Sequence, residues 1–472
     1  MKKLLVIGLD CAAPQLVFEQ FKDDLPNLTR LASQGVAANL LSTIPPITVP
    51  AWTAMMTSKD PGMLGFYGFR NRSSYGYEDL YFANARFVKE KTVWNYLSRN
   101  RMASLVFGVP QTYPPKPLNG ILVSSFLTPN KDVQYTWPDE VKGELDQAAG
   151  GNYIIDVEEF RTENKDGLLE QIYEMTAARF RAFKHFYKKQ EWPFAMIVEM
   201  GTDRIHHGFW RYFDRSHRLY EPGNRYENAI HDYYVYLDKE IGGLLELLDS
   251  ETSVMVVSDH GAKTMHGAIC VNEWLQQEGL LTLKEKPREQ TRLKMNMIDW
   301  KNTRVWGEGG YYGRIFLNVK GREPEGVIPE DEYESFRADL RARLEAIEDE
   351  KGKNIGTRVF TPEEAYREAR NIPPDLIVYF GNLDWRSAGS VGTGTVHLYE
   401  NDTGPDDANH AENGTFIWNM PKDRFVEIKD TYSIFDIAPS ILTYLGIEVP
   451  PDMIGRSLIS QDVAVRKGGM TG

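Results

Sequence analysis

Short apolar runs alternate with longer stretches of helical spacing over most of the chain. Lys3–Leu9, Ala103–Gly108, Phe194–Met200 and Ser253–Ser258 each read as a strand, apolar at nearly every position rather than at every second one. Strands that are apolar on both faces belong to a sheet covered by helices on both sides. Between them, Pro26–Gln34, a stretch from about Asp166 to Lys189, and Asn228–Leu248 have the spacing of amphipathic helices. Gly35 stands where a glycine caps a helix C-terminus. The alternation predicts an α/β fold with a mostly parallel central sheet flanked by helices.

From about residue 262 to 373 the character changes to charged runs, turn signals and one strongly charged helix, Glu330–Ile347. The α/β pattern returns at Asp375–Tyr379. These shifts divide the chain into a main α/β unit over 1–261 and 374–463, an inserted cap over 262–373, and a short polar tail over 464–472. No internal repeat or low-complexity tract appears.

Three predicted strands end alike. One leads into Asp10, one reaches Asp203, and one ends at Asp259-His260. Ligands of parallel α/β sheets bind beyond the carboxyl ends of the strands, so these aspartates should converge at one edge. Converging carboxylates repel one another, and a divalent cation between them is the economical remedy. Histidines stand at usable spacing. Asp203 and His207 share one face if a helix starts there, His260 adjoins Asp259, and His410 precedes a further predicted strand from Asn413. A mixed carboxylate and imidazole set suits zinc, with manganese or iron as alternatives.

The nucleophile candidate is Thr48, just before a helical stretch opening at Pro50. Two readings stand side by side. Thr48 is a helix N-cap, or its hydroxyl, at a helix N-terminus that favours an anion such as phosphate, is made nucleophilic by a bound metal.

Composition narrows the field. A net charge of -13 argues against a nucleic-acid polymer as partner. Cys11 and Cys270 are the only cysteines, so there is no disulfide framework; a reducing, cytoplasmic setting is expected. The first nine residues read as a buried strand rather than a signal peptide, and no apolar run is long enough to span a membrane.

Taken together, Val6-Ile7-Gly8-Leu9-Asp10, Thr48-Val49-Pro50, Asp203 with His207, Ser258-Asp259-His260-Gly261 and Asn409-His410 with Gly414-Thr415-Phe416 carry a resemblance. So do the closing segments Ser433–Leu442 and Pro450–Leu458. The chain resembles the alkaline phosphatase superfamily, in its branch of type I phosphodiesterases and nucleotide pyrophosphatases. The resemblance implies an alkaline phosphatase-like fold and two metal ions, usually zinc. It assigns Asp203, His207 and His410 to one ion, and Asp10, Thr48, Asp259 and His260 to the other. It implies in-line attack by Thr48, a phosphothreonine intermediate, and a small-molecule phosphoester substrate such as a nucleotide.

One departure matters. The branch usually carries a phosphate-contacting asparagine some twenty residues after the nucleophile. Here Phe69 holds about that place, Asn71 is out of register, and Arg70 is either a phosphate contact or a solvated charge. A phosphomutase or a phosphomonoesterase is therefore the alternative to a phosphodiesterase. A sulfatase is disfavoured, because Thr48-Val49-Pro50-Ala51-Trp52 lacks that branch's cysteine or serine nucleophile. Lys263 and His266 are candidates to line the pocket, and His397 is an alternative ligand to His410. Trp306, Tyr311 and Tyr312 either stack on a base or fill a core. The sequence carries no code for the natural substrate or the oligomeric state.

Overall fold

The protein is described by a computed structural model over residues 2–420 and 428–459; the expected tail at 464–472 lies outside the described residues. Nine strands form one sheet. In chain order they are β1 (Lys3–Leu9), β2 (Val36–Leu41), β3 (Ser104–Phe107), β4 (Gly120–Val123), β5 (Thr136–Trp137), β6 (Phe194–Glu199), β7 (Thr252–Val257), β8 (Asn413–Asn419) and β9 (Thr431–Ser433). Their spatial order is β9-β2-β8-β7-β1-β6-β3-β4-β5. The central five, β7-β1-β6-β3-β4, are all parallel. Every residue of β6 and β7 is buried, as is β1 beyond Lys3. The near-continuous apolar runs are explained by helices on both faces.

The helices that matter to the site are α1 (Pro26–Gln34), α2 (Thr48–Thr57), α3 (Lys165–Tyr187), α4 (Gly201–Phe213) and α5 (Ala229–Leu245). Among the described residues no helix is long and apolar enough to cross a membrane. Gly35 does end α1, but not as a left-handed cap, since its φ is −133°. A Cβ there would lie 2.3 Å from the carbonyl oxygen of Trp418. Glycine is required by the close approach of β8.

A second apolar core gathers residues of the 262–373 stretch, such as Val271, Trp306, Phe316 and Leu344, with Val378 beyond it. It is built on a four-stranded antiparallel sheet of Val305–Glu308, Gly313–Leu317, Leu376–Tyr379 and Arg358–Phe360. Leu376–Tyr379, which the alternation returned to the main sheet, thus belongs to this smaller one. Four buried apolar residues satisfy either sheet, and periodicity does not say which neighbour pairs with them.

Register sets up the site. Leu9 lies beside Glu199, and Gly8 beside Val257. The carboxyl ends of β6, β1 and β7 are therefore level, and the residues that follow them share one edge. Strand β8 runs antiparallel to β7, pairing Phe416 with Val257 and Asn419 with Val254. Its starting end is therefore at that same edge, which is why a residue preceding it can join residues that follow the others.

Candidate metal centre

Three overlapping groups of buried side chains have ligand atoms within 4.8 Å of one another: Asp10, Asp259 and His260; Asp203, His260 and His410; and Cys11, Asp203 and His207. Asp10 directly follows β1. Asp203 and His207 lie one turn apart on α4, with Asp203 Oδ1 3.2 Å from His207 Nε2. Asp259 and His260 follow β7. His410 lies on a short strand, Ala408–Ala411, that pairs antiparallel with Gly261–Thr264.

The imidazoles are oriented alike. His260 Nδ1 is 3.1 Å from the Gly261 carbonyl, His410 Nδ1 is 2.7 Å from the Pro46 carbonyl, and His207 Nδ1 is 2.7 Å from Asp406 Oδ1. Each Nδ1–H donates to an oxygen, so Nε2 of neutral His260 and His410 presents a lone pair; His207, which Asp406 and Asp203 raise to about 9 against burial, presents one once a cation displaces its second proton. Those nitrogens converge. His207 Nε2 and His410 Nε2 are 3.3 Å apart, and His260 Nε2 is 3.2 Å from Asp259 Oδ2 and 3.9 Å from Asp10 Oδ1. These last contacts are not ion pairs, because burial pushes the His260 imidazole down to about 4 and leaves it neutral. Burial, then the neighbouring imidazoles of His260 and His207, likewise hold His410 well below its usual range.

The carboxylates face the same space with unmet needs. Asp10 Oδ1 and Asp259 Oδ2 are buried with no hydrogen-bond partner among the described residues. Their other oxygens are held, Asp10 Oδ2 by Trp52 Nε1–H at 2.7 Å and Asp259 Oδ1 by the Cys11 amide at 3.2 Å. Burial, and next the neighbouring carboxylate charge, keeps Asp10 well above the ordinary carboxylate range. Burial also raises Asp259, with Asp203 adding to it against the Cys11 amide. Asp203 goes the other way: His207 and Arg204 outweigh burial and hold it low. Bare carboxylate oxygens and imidazole nitrogens aimed at one space are the donor set of divalent cations. The residues present fit a divalent metal.

Thr48 is the first residue of α2, and the cap position belongs to Ile47, whose side chain makes no capping bond. The Thr48 hydroxyl instead lies 3.3 Å from His260 Nε2. Thr48, Asp203, His207 and His410 open onto a cavity of about 660 Å³.

The decisive comparison is a family profile. The profile described as type I phosphodiesterase / nucleotide pyrophosphatase matches residues 4–406. The chain belongs to the type I phosphodiesterase/nucleotide pyrophosphatase family. Solved structures share its fold. Phosphonoacetate hydrolase from Sinorhizobium meliloti, in complex with phosphonoformate, is 15% identical with a TM-score of 0.61, over 94% of this chain and 96% of that one. Inactive murine ectonucleotide pyrophosphatase/phosphodiesterase 5 in complex with AMP is 12% identical with a TM-score of 0.55, over 98% and 100%. The human form of that protein is 13% identical with a TM-score of 0.55, over the same shares. No sequence among curated proteins matches.

Within this family frame, other sequence expectations resolve. His206 faces away from the cluster, its Nε2 3.1 Å from the Tyr234 hydroxyl. His397 does not join the cluster; it lies on a short strand, His397–Leu398, that pairs antiparallel with Gly267–Cys270, and its Nε2 is 2.9 Å from the Glu348 carbonyl. Lys263 and His266 do not line the main cavity, and Lys263 pairs with Asp384 at 2.5 Å. Trp306 is buried in the second core, stacked on Phe316. Tyr312 donates to the Tyr67 carbonyl. Asn71 is a loop brace, accepting from the Tyr67 amide and donating to the Gly68 carbonyl, whereas Arg70 reaches the cavity.

One contributor, Asp406, went unread in the sequence, and another, Tyr311, packs on the histidines, a role not expected of it. Asp406 accepts from His207, from Arg161 at 2.9 Å and from the Tyr311 hydroxyl at 2.8 Å. Tyr311, far from any strand end of the main sheet, stacks on both His207 and His410. The one signal for Asp406 was its place four residues before His410.

Proposed function

We propose that this protein is a two-metal phosphoester hydrolase that cleaves phosphodiesters through a phosphothreonine on Thr48. The observation that carries the reading is the Thr48 hydroxyl, 3.3 Å from a bare imidazole nitrogen and facing the main cavity. Asp10, Asp259 and His260 would hold one ion with the Thr48 oxygen; Asp203, His207 and His410 would hold the other. Zinc suits this donor set, with manganese or iron as alternatives. Bound ions supply the positive charge that lowers the hydroxyl pKa and offsets charge on the attacking and leaving oxygens.

The chain's own residues supply the rest. At the start of α2, Thr48 stands where N–H groups without partners inside the helix favour a phosphoryl group. Its Oγ bonds to phosphorus as the bond to the leaving oxygen breaks. Water then attacks the phosphothreonine, and the Thr48 oxygen is released and reprotonated. Asp406 and the Pro46 and Gly261 carbonyls hold the imidazoles in the tautomer that leaves Nε2 free. The cavity is of the size that takes a small molecule. The AMP complex of the murine relative supports a nucleotide-like phosphoester as substrate.

The test is turnover of bis(p-nitrophenyl) phosphate and p-nitrophenyl phosphate by the protein loaded with zinc and then manganese. Faster hydrolysis of the diester, lost in Thr48→Ala, is expected. Preference for the monoester would move the reading to a phosphatase or mutase, and a protein that binds no divalent ion would overturn it.

A further inference from the structure

Six arginines reach the main cavity: Arg70, Arg161, Arg204, Arg292, Arg314 and Arg386. Four are committed to acids. Arg161 pairs with Asp406 at 2.9 Å, Arg204 with Asp156 at 2.5 Å and Asp203 at 2.6 Å, Arg314 with Glu308 at 2.5 Å, and Arg386 with Asp402 at 3.6 Å. Among the described residues Arg70 and Arg292 pair with no carboxylate.

These two arrive from different parts of the chain. Arg70 lies on a short hairpin after the Thr48 helix, opposite Phe82, with its guanidinium 5.9 Å from the Phe82 ring centre. Arg292 belongs to the inserted region, on a strand pairing it with Ser390. Both line the same cavity. Burial first, then the charges of Arg292 and Arg314, make Arg70 hold its proton less tightly than usual; Glu308, already engaged by Arg314, opposes this. Like charges gathered on a partly buried wall are unfavourable unless an anion arrives to offset them. Guanidinium groups present forks that match phosphate and carboxylate oxygens.

We infer that Arg70 and Arg292 form a second anion-binding site in the cavity, which takes a phosphate or carboxylate group of the substrate while the metal centre takes the scissile phosphoester. The inference rests on the metal-centred reading of the site. It makes the substrate class a phosphodiester or phosphoanhydride carrying a further anionic group.

The experiment is calorimetric titration of the zinc-loaded protein with methylphosphonate and with α,ω-bisphosphonates of increasing chain length. One chain length should bind at least roughly tenfold more tightly than methylphosphonate, the scale of a charge-assisted contact. Arg70→Gln with Arg292→Gln should erase that gain and leave methylphosphonate affinity unchanged. Arg292→Gln alone, at an exposed position, should erase part of it. Phosphonocarboxylates of the same length distinguish the sources: an equal or larger gain marks a carboxylate site, a smaller one a phosphate site. No gain at any length, or a gain that survives the double substitution, would overturn the inference. Failure of methylphosphonate to bind would count against the metal centre instead. Bisphosphonate binding lost in the double variant would still support the arginine site, and binding that is absent or retained would overturn it.

Discussion

Thr48 Oγ1 and His260 Nε2 lie 3.3 Å apart although 212 residues separate them in the chain. One opens the helix after β2; the other ends the turn after β7. Their meeting depends on strands whose ends are level, and it makes a threonine at a helix start into a candidate nucleophile.

Removing that hydroxyl should abolish chemistry without unfolding the protein. Thr48→Ala is expected to lower diester turnover by at least about 1,000-fold, the scale seen when a nucleophile is deleted. Thr48→Ser should retain part of the rate. Steady-state kinetics beside metal content and circular dichroism check this; a Thr48→Ala protein with near-normal turnover would remove Thr48 from the mechanism.

Asp406 fixes the tautomer and orientation of His207 through the 2.7 Å contact at Nδ1. Asp406→Asn should weaken metal binding by roughly 10–100-fold, as loss of a partner behind a ligand histidine does. Saturating metal should restore much of kcat. Chelator competition reads the affinity, and an unchanged value would mean that Asp406 serves only packing.

The metal-free protein should lose stability between pH 6.5 and 9. Burial opposes protonation of His207, but Asp406 and Asp203 outweigh it and raise the imidazole to about 9. A group that holds its proton more tightly when folded stabilises fully below its unfolded value, and that contribution fades as pH rises through the folded one. Raised Asp10 and Asp259 act in the same direction. His260 and His410, both lowered, act oppositely, but their effect is complete by the ordinary histidine range. The loss for His207 is at most roughly 3 kcal/mol. Thermal melts of chelator-treated protein should show Tm falling across this window; a flat or rising Tm would contradict the assignment. With metal present the trend should reverse, because protons no longer compete for the ligand nitrogens.

Gly8→Ala should damage both stability and site. A Cβ there would lie 2.5 Å from the Trp52 ring and 2.8 Å from Val198. Trp52 is fully buried and holds Asp10 through its indole N–H. Overpacking of this kind costs about 1–3 kcal/mol, and a shifted Trp52 should also weaken metal binding. Denaturant melts and a zinc titration measure the two effects; a variant altered in neither would show that the strand accommodates the methyl.

By itself the sequence determined the α/β class, because strands buried on both faces must be apolar throughout, and it marked Asp10, Asp203 and Asp259 by their places at or beyond strand ends. Spacing on a single helix was enough to join Asp203 to His207. Tertiary structure alone decided the rest. His410 reaches the centre because β8 runs antiparallel, and a strand's direction is not written in its composition. The Leu376–Tyr379 run went to the smaller sheet because its pairing partners, not its pattern, chose the sheet. Asp406, Tyr311 and the pair Arg70 and Arg292 matter through what they face across the cavity. Contacts between segments this far apart depend on how the two cores close on one another, and local periodicity carries no record of that.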